Sequence, residues 1–177
     1  MSIALVILAA GKGTRMHSDF PKVMHEIASA PMLVHAMMAG ETLDPEHCIV
    51  IAGHGADVVA EVARGHNPNT KIIIQSEQLG TGNAVEQARA TLADFAGNVI
   101  VLYGDTPLIK SETLATLSAS LSESAITVLG FEAKDPGRYG RLITDNNNLK
   151  RIVEFKDASD SEKLVTLCNS GVMAVPA

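Results

Sequence analysis

Val6-Ile7-Leu8-Ala9-Ala10-Gly11-Lys12-Gly13-Thr14-Arg15-Met16, with Pro21-Lys22 shortly downstream, is the stretch that decides the fold. The apolar run from Ile3 to Leu8 has no polar alternation, which is typical of a buried strand in a parallel sheet. Glycines lack a Cβ and let the backbone approach a ligand, and clustered N–H groups beside Lys and Arg favour an anion. The stretch therefore predicts a strand that leads into a phosphate-binding loop.

The spacing of this loop excludes two common phosphate motifs. A P-loop requires G-x-x-x-x-G-K-[ST], which Gly11, Lys12 and Gly13 do not fit. The dinucleotide fingerprint requires a third glycine where this chain has Met16. An anion-binding turn of another kind remains, and a plain tight turn with surface cations stays open as the alternative.

Composition limits the class of protein. The 177 residues suit one domain, or most of one, and 14 basic against 20 acidic residues give a net charge of −6, so no nucleic-acid partner is expected. No apolar run approaches the roughly 18 residues of a membrane span, and no signal-peptide pattern precedes the first strand. We therefore expect a cytoplasmic protein without a membrane partner. Cys48 and Cys168 are predicted to be reduced core residues.

Apolar runs alternate with segments of helical periodicity over the first two thirds of the chain. Strands are predicted at 3–8, 48–52, 71–74 and 98–102, and helices at 31–42, 56–63, 81–92 and 111–121. This alternation predicts an α/β fold, a Rossmann-like three-layer α/β/α sandwich with a mostly parallel central sheet. After Ser124 the pattern changes to short strands joined by hairpins, at 126–129, 140–144, 149–153 and 171–175. Because nothing follows to cover the last strand, we expect a chain truncated on its C-terminal side.

Polar clusters follow four of the predicted strands, at 9–15, 53–55, 75–82 and 103–105. Ligands of open α/β sheets bind at these carboxyl ends. The amides of Gln75 and Gln78 match the edge of a base, although a polar helix start capped by Thr81 or a neighbour explains the segment equally well. Asp105 suits Mg²⁺, which one or two carboxylates hold together with substrate phosphates, or it caps the turn before Pro107.

A second polar set lies later in the chain, at 137–141, 154 and 168–171. Glu154 and Asn169 could bind sugar hydroxyls and an N-acyl group, and a glycine N–H could approach them. Glu154 near Lys156 also fits a solvated strand face. The six histidines have no metal-ligand spacing, and no Ser/His/Asp or Cys/His nucleophile arrangement is evident.

Six motifs together carry a resemblance that covers the whole chain: 8–16 with Pro21-Lys22, 78–82, 103–105, 139–141, 152–158 and 169–171. The chain resembles the sugar-nucleotide pyrophosphorylases of the nucleotide-diphospho-sugar transferase superfamily. Within that superfamily it is most similar to the uridyltransferase domains of the bifunctional N-acetylglucosamine-1-phosphate uridyltransferase/glucosamine-1-phosphate acetyltransferases. The opening motif fits many nucleotidyltransferases, whereas Gln78-Leu79-Gly80-Thr81-Gly82 combined with Tyr103-Gly104-Asp105 indicates this branch.

The resemblance implies a magnesium-dependent transfer of UMP from UTP to N-acetyl-α-D-glucosamine 1-phosphate, for cell-envelope precursor synthesis. It implies that the backbone of Leu8, Ala9, Ala10 and Gly11 and the side chains of Gln75 and Gln78 hold uracil, while Gly80 and Thr81 contact the nucleotide. Arg15 and Lys22 would balance phosphate charge, and Asp105 would bind Mg²⁺. The remaining implied substrate contacts are Tyr103, Gly104, Gly140, Glu154 and Asn169, most of them on the sugar side.

Two departures from the family pattern affect these expectations. The family usually has His where this chain has Asn83. The family's second metal ligand, a downstream asparagine, would lie beyond Ala177, as would the left-handed β-helix acetyltransferase domain that drives trimerisation. We therefore expect residues 1–177 to be an incomplete nucleotidyltransferase domain with little turnover on its own, and a homotrimer only in a longer form.

Three alternatives remain open at this point. A related pyrophosphorylase could use another sugar phosphate or nucleotide. A non-catalytic binding module for nucleotides or nucleotide sugars is a second possibility, although binding a base requires none of Arg15, Lys22 and Asp105. An NAD-dependent oxidoreductase is a third, disfavoured by Met16.

Overall fold

The chain divides into two compact units in the structure, a computed structural model that describes residues 2–11, 13, 18, 20–146 and 148–177. Unit 1 comprises Met1–Thr127 and Met173–Ala177, and unit 2 comprises Val128–Val172. In the described part of the chain, no helix is long and apolar enough to cross a membrane. The strands and helices, in chain order, are β1 (Ile3–Ala9), β2 (Glu26–Ile27), β3 (Ala30–Pro31), α1 (Met32–Glu41), β4 (His47–Ala52), α2 (Ala56–His66), β5 (Lys71–Ile74), α3 (Thr81–Glu86), β6 (Asn98–Tyr103), α4 (Ser111–Ala119), β7 (Thr127–Glu132), β8 (Arg141–Asp145), β9 (Asn148–Val153), α5 (Asp160–Lys163) and β10 (Leu167–Pro176).

Four parallel strands form the sheet of unit 1 in the order β5-β4-β1-β6. Val6 of β1 lies opposite Ile49 of β4 on one side and Val101 of β6 on the other. Residues 173–176 of β10 run antiparallel beside β6. The mostly parallel sheet expected from the apolar runs is confirmed.

Helical segments pack on both faces of this sheet. Alternate residues of a strand point to opposite faces, and Val6 belongs to a buried cluster with Ala84 and Ala88. On the other face Leu5 packs against α1, where a Cβ at Gly40 would lie 2.4 Å from Leu5 Cδ1. This arrangement confirms the Rossmann-like three-layer architecture.

The order of the strands locates a crevice at the carboxyl end of β1. The chain adds β4 and β5 on one side of β1 and then returns to add β6 on the other. Ligands of open α/β sheets bind where the strand order reverses in this way. Just past β6, the Gly104 N–H donates to the Leu8 carbonyl at 2.9 Å, so the ends of the two strands are tied together at the crevice.

Several local features of unit 1 differ from the sequence-based expectations. The helix predicted over 81–92 ends at Glu86, and a separate 3-10 turn spans Arg89–Leu92. Hydrogen bonds from Gln87 to Ala84 and from Ala88 to Val85 tighten the backbone at this point, and Ala88 becomes buried. The helix predicted over 111–121 ends as α4 at Ala119, and the short hairpin of β2 and β3 was not predicted.

Unit 2 is built from antiparallel strands. β8 and β9 form a hairpin in which Leu142 lies opposite Ile152. Asn146 takes the left-handed conformation in its turn, with φ of 48°, which Asn tolerates better than most residues. β10 begins earlier than the strand predicted at 171, and Cys168 within it lies opposite Arg141.

Both cysteines are buried and free, as the sequence predicts. Burial raises the pKa of the Cys48 thiol to about 11, with a smaller opposing effect of the Thr70 side chain and a raising effect of the Glu41 charge. The thiol is therefore neutral at physiological pH and serves as a small apolar residue of the core.

Candidate active site

A cavity of about 450 Å³ opens at the carboxyl ends of the parallel strands in unit 1. Its walls come from the ends of β1, β5 and β6, the start of α3 and the segment after Pro21. The lining residues are Leu8, Ala10, Gly11, Gly13, Lys22, Val23, Gln75, Gln78, Gly80, Thr81, Ala84, Tyr103 and Asp105. The structure thus brings together most of the residues that the sequence assigns to the nucleotide side.

The glycine turn after β1 has an open backbone at its first glycine. Among the described residues, nothing lies within 4 Å of the position that a Cβ would take at Gly11. Gly13 has φ of 62°, and a Cβ there would lie 2.7 Å from Lys22 Cβ, so a larger residue would displace Lys22. Arg15, the predicted phosphate contact, lies outside the described residues, as do positions 12, 14 and 16.

Lys22 and Asp105 form an ion pair on the cavity wall. Lys22 begins a 3-10 turn after Pro21, and Asp105 follows the end of β6. Nζ of Lys22 donates to Oδ2 of Asp105. The two side chains remain 38% and 25% exposed, so a ligand in the cavity meets a cation and a carboxylate side by side.

The two glutamine amides are held by hydrogen bonds within the protein. Gln75 is 5% exposed, and its Nε2 donates to the Gly80 carbonyl at 3.3 Å and to Asn83 Oδ1 at 2.8 Å. Nε2 of Gln78 donates to the Ala10 carbonyl at 2.8 Å. Both amides therefore lie at the cavity wall in fixed orientations.

The start of α3 forms a further part of the wall. Gly80 is the N-cap residue of α3 and has φ of 102°, a conformation that favours glycine. Because glycine has no side chain, the N-cap residue makes no side-chain hydrogen bond to the helix. Thr81, suggested by the sequence as a capping residue, is instead the first residue of α3. Its Oγ1 lies 3.2 Å from the Tyr103 hydroxyl, so both residues contribute polar atoms to the cavity.

Two of the predicted substrate contacts lie beneath the cavity lining. Ala9 is 1% exposed within the sheet. Gly104 is buried, and a Cβ there would lie 3.1 Å from Val23 Cγ1 and 3.3 Å from the Leu8 carbonyl oxygen. Lack of a side chain at Gly104 therefore allows the ends of β1 and β6 to pack closely.

Unit 2 contains a separate cluster of Gly140, Glu154 and Asn169. A Cβ at Gly140 would lie 3.3 Å from Glu154 Oε1 and 3.7 Å from Asn169 Cβ. The Asn169 N–H donates to the Gly140 carbonyl at 2.8 Å, and Asn169 Oδ1 accepts from the Gly171 N–H at 2.9 Å. The three residues predicted for the sugar side are thus neighbours.

The sequence did not identify Val23 and Ala84 as cavity residues, nor Asn83 as a partner of Gln75. Val23 follows Lys22 directly, and Ala84 follows Thr81 at a helical spacing of three, so both were detectable once the neighbouring residues had been assigned. The contact between Asn83 and Gln75 depends on how α3 lies beside the end of β5, which local sequence does not specify.

Of the described residues that line the cavity, one carries a carboxylate that could bind a metal ion. Among the described residues, no group of three or more His, Cys, Asp or Glu side chains comes together. Asp105 is the acidic residue of the cavity lining. Such a site suits a hard divalent cation that takes its remaining ligands from phosphates and water, and it does not suit a closed zinc site.

Comparison with known proteins places the chain in a family. The family model for MobA-like NTP transferase domains matches residues 5–161. The chain belongs to the MobA-like NTP transferase domain family. One relative is the bifunctional protein GlmU of Ruegeria sp. (strain TM1040). It is 58% identical to this chain over 177 residues, which cover 100% of the chain. The chain spans only 39% of the length of that relative.

Solved structures of other proteins have a similar fold. A Bacillus anthracis protein assigned as a glucose-1-phosphate thymidylyltransferase, in complex with sucrose, has a TM-score of 0.82 at 20% identity, covering 99% of this chain and 72% of that one. This likeness shows the fold. HddC from Yersinia pseudotuberculosis, complexed with GMP-PN, has a TM-score of 0.74 at 29% identity, covering 99% and 77% of the two chains.

Proposed function

We propose that the chain transfers UMP from UTP to N-acetyl-α-D-glucosamine 1-phosphate, giving UDP-N-acetylglucosamine and pyrophosphate. The observation that carries the proposal is the cavity of unit 1, where a carboxylate, an ammonium group, two amides and open glycine backbone face one space. The sequence identity to GlmU supports it, and so does the match to the MobA-like NTP transferase family.

The reaction needs alignment more than a reactive side chain. An oxygen of the sugar phosphate attacks the α-phosphorus of UTP and forms a new P–O bond. The bond from the α-phosphorus to the bridging oxygen breaks, and its electron pair leaves with pyrophosphate. Because no protein nucleophile takes part, catalysis consists of positioning and neutralisation of charge.

The residues of the cavity would divide this work. The backbone of Gly11 and the amides of Gln75 and Gln78 would hold the base, and Gly80 and Thr81 would contact the nucleotide. Lys22, released from Asp105, would neutralise phosphate charge together with Arg15. In unit 2, the cluster of Gly140, Glu154 and Asn169 would bind the hydroxyl and N-acetyl groups of the sugar.

Asp105 would hold a divalent metal ion, for which we propose Mg²⁺. One carboxylate on the wall of a phosphate-binding cavity matches the way in which Mg²⁺ binds to proteins, with phosphates and waters completing its shell. When bound, the metal supplies positive charge at the phosphates. Asp105 would therefore bind Lys22 in the free chain and the cation in the chain with bound metal.

A second candidate is transfer of another nucleotide or to another sugar phosphate. The complex of HddC with GMP-PN favours it, because that protein is 29% identical to this chain and binds a guanine nucleotide analogue. A non-catalytic binding module is a third candidate. The proximity of Lys22 and Asp105 argues against it, because a base-binding site has no use for a paired cation and carboxylate.

Turnover distinguishes these candidates. Residues 1–177 are joined to the remaining sequence of the Ruegeria GlmU, and pyrophosphate release is measured with Mg²⁺ and each of UTP, CTP, dTTP and GTP. N-acetylglucosamine 1-phosphate and glucose 1-phosphate serve as alternative acceptors. We expect the fastest release with UTP and N-acetylglucosamine 1-phosphate. A preference for another pair would support the second candidate, and binding without release for any pair would support the third.

The biological setting follows from the proposed reaction. UDP-N-acetylglucosamine is a precursor of peptidoglycan and lipopolysaccharide, and we propose a cytoplasmic enzyme because the reaction consumes UTP. No nucleic-acid or membrane partner is proposed. A homotrimer is proposed only for a form that carries the β-helix acetyltransferase domain.

A further inference from the structure

We propose that Gly55 is a positioning residue, which lets Pro21 lie against the turn between β4 and α2 and thereby fixes Lys22 on the wall of the cavity. The inference rests on the proposed function, because Lys22 matters there as the group that neutralises phosphate charge. It assigns a role to the glycine cluster at 53–55, which follows a strand end and yet contributes none of the described lining residues.

Gly55 leaves no space for a side chain. It is the N-cap residue of α2 and has φ of 65°, a conformation that favours glycine. A Cβ at Gly55 would overlap Cγ of Pro21 and lie 3.2 Å from its Cδ. The proline ring is closed through its own backbone nitrogen, so Cγ cannot swing aside by a side-chain rotation. A side chain at Gly55 could therefore be accommodated only by movement of backbone.

The turn that carries Gly55 is firmly held. It continues β4, which lies between β1 and β5 and is buried from residue 48 to residue 52. A Cβ at Gly53 would lie 2.9 Å from the Ala10 carbonyl oxygen, so the turn also packs against the end of β1. The Gly55 carbonyl accepts from the N–H of Val59, a fully buried residue of α2, at 3.1 Å. We therefore expect the segment of Pro21, rather than this turn, to move.

A displacement of Pro21 would reach Lys22 through a short turn. The Pro21 carbonyl accepts from the Met24 N–H at 2.9 Å, and the Lys22 carbonyl accepts from the His25 N–H at 3.2 Å. On the side of the glycine turn, a Cβ at Gly13 would lie 2.7 Å from Lys22 Cβ. Lys22 is thus held between two close glycine contacts, one of them direct and the other through Pro21.

The position of Lys22 affects the transition state more than the binding of UTP. Charge develops on the leaving pyrophosphate, and a displaced ammonium group stabilises that charge less. The proposed contacts to the base belong to other segments. Gly55→Ala should therefore lower kcat for pyrophosphate release by about tenfold, a moderate loss because the long Lys22 side chain compensates in part. KM for UTP should stay within about twofold, as expected when the lost interaction is made only in the transition state.

A second substitution distinguishes the contact with Pro21 from strain at Gly55. In Pro21→Ala the ring atoms Cγ and Cδ are absent. The Cβ of residue 21 lies 3.7 Å from the position of a Cβ at Gly55, an ordinary van der Waals distance. Gly55→Ala should therefore lower kcat no further in the Pro21→Ala background. Strain from the positive φ alone would lower kcat by the same factor in both backgrounds.

The experiment measures steady-state kinetics for the four members of this cycle in the GlmU fusion, with Mg²⁺, UTP and N-acetylglucosamine 1-phosphate. Gly65→Ala is the matched control, because the same substitution in the same helix meets no described atom within 4 Å. It should keep kcat within about twofold. Crystal structures of the 177-residue chain, wild type and Gly55→Ala, should show Lys22 Cα displaced by about 1 Å, since carbon atoms pack at about 3.5–4.0 Å.

The outcomes separate the inference from the proposed function. If the wild-type fusion is active and Gly55→Ala keeps kcat, raises KM instead, or lowers kcat equally in both backgrounds, the inference fails while the proposed function stands. An unmoved Lys22 in the variant structure also overturns the inference. If the wild-type fusion releases no pyrophosphate, both fail. Thermal unfolding verifies that each variant is folded. Should Gly55→Ala not fold, recovery of folding by added Pro21→Ala supports the contact, and failure of the double variant to fold overturns it.

Discussion

The cavity of unit 1 and the Gly140–Glu154–Asn169 cluster of unit 2 are built in different ways. In unit 1, side chains at strand ends that are distant in sequence line one cavity. The ammonium group of Lys22 and the carboxylate of Asp105 pair with each other there. In unit 2, the cluster is joined through backbone atoms, as in the bond from Asn169 N–H to the Gly140 carbonyl. Unit 1 thus offers charge that can be redirected to a ligand, and unit 2 offers a fixed shape.

A buried arginine supports the shape in unit 2. Arg141 is 2% exposed, and its guanidinium donates to the carbonyls of residues 136, 137, 139 and 163. It also lies over the Phe155 ring, 5.8 Å from the centroid. Three of these carbonyls, at 136, 137 and 139, belong to the segment just before Gly140, so Arg141 holds that segment in place.

The largest expected effect is loss of catalysis when the charge of unit 1 is removed. Asp105→Ala in the GlmU fusion should lower kcat for pyrophosphate release by about 10³-fold, because the carboxylate that would hold the cation is gone. UTP binding should survive, since Lys22 is then free to meet the phosphates. The measurements are steady-state kinetics and UTP titration.

The exposed Asp94 provides the control for this substitution. Asp94→Ala removes one carboxylate from unit 1 outside the cavity and should leave kcat within about twofold, since surface charges contribute little. Full activity of Asp105→Ala would show that the carboxylate of the cavity has no catalytic role.

The second effect is destabilisation of unit 2 when the support of the cluster is removed. Arg141→Met should lower the free energy of unfolding in urea by about 3 kcal/mol, because four backbone carbonyls lose the donors that the buried guanidinium provides. Affinity for the sugar phosphate should fall, and affinity for UTP should not.

Arg151→Met is the matched control for Arg141→Met. Arg151 is 62% exposed and pairs with Glu162, so its loss should cost no more than about 0.5 kcal/mol. Equal destabilisation by the two substitutions would contradict the supporting role of Arg141. A loss of UTP affinity in Arg141→Met as large as its loss of sugar-phosphate affinity would contradict the distinction between the two regions.

The smallest effect is the pH dependence of the cap of α5. Hydrogen bonds from the Ser159 hydroxyl and then from its backbone N–H lower the pKa of Glu162 below its usual 4.5. A carboxyl whose pKa is lower in the folded state stabilises that state above the unfolded value, and the gain disappears as pH falls through the folded value. Ser159→Ala should therefore lower the urea midpoint at pH 7, and this difference should shrink below pH 4.5.

Ser122→Ala makes a suitable comparison, because the Ser122 hydroxyl donates to a backbone carbonyl and involves no carboxylate. Its effect on the urea midpoint should be constant over the same pH range. A Ser159→Ala effect that is equally constant would mean that Glu162 is not coupled to the cap.

Apolar runs were sufficient to predict the strands of unit 1. Residues 3–8 and 98–102 form strands that are buried on both faces. Nearly every residue of such a strand is apolar, so the strand can be recognised from the sequence. The carboxyl-end rule then grouped the segments at 75–82 and 103–105, and Gln75, Gln78 and Asp105 of these segments line one cavity. These features depend on local pattern and on a general property of parallel sheets.

The features that escaped prediction depend on tertiary packing. A charged residue such as Arg141 is normally exposed, so nothing in its neighbourhood indicated that backbone carbonyls would surround it. The early end of α3 follows from how Ala88 packs under the sheet, which overrides the helical periodicity of 81–92. The contact between Asn83 and Gln75 likewise depends on the relative placement of α3 and β5.

The most direct test of the account is amide chemical-shift mapping of the 177-residue chain by NMR during titration with UTP and, separately, with N-acetylglucosamine 1-phosphate. We predict that UTP with Mg²⁺ shifts the amides of Gly11, Gly80 and Asp105 most, while the sugar phosphate shifts Gly140 and Asn169 most. Shifts by UTP at Gly140 and Asn169, with the amides of the cavity unmoved, would contradict the assignment of the cavity to the nucleotide.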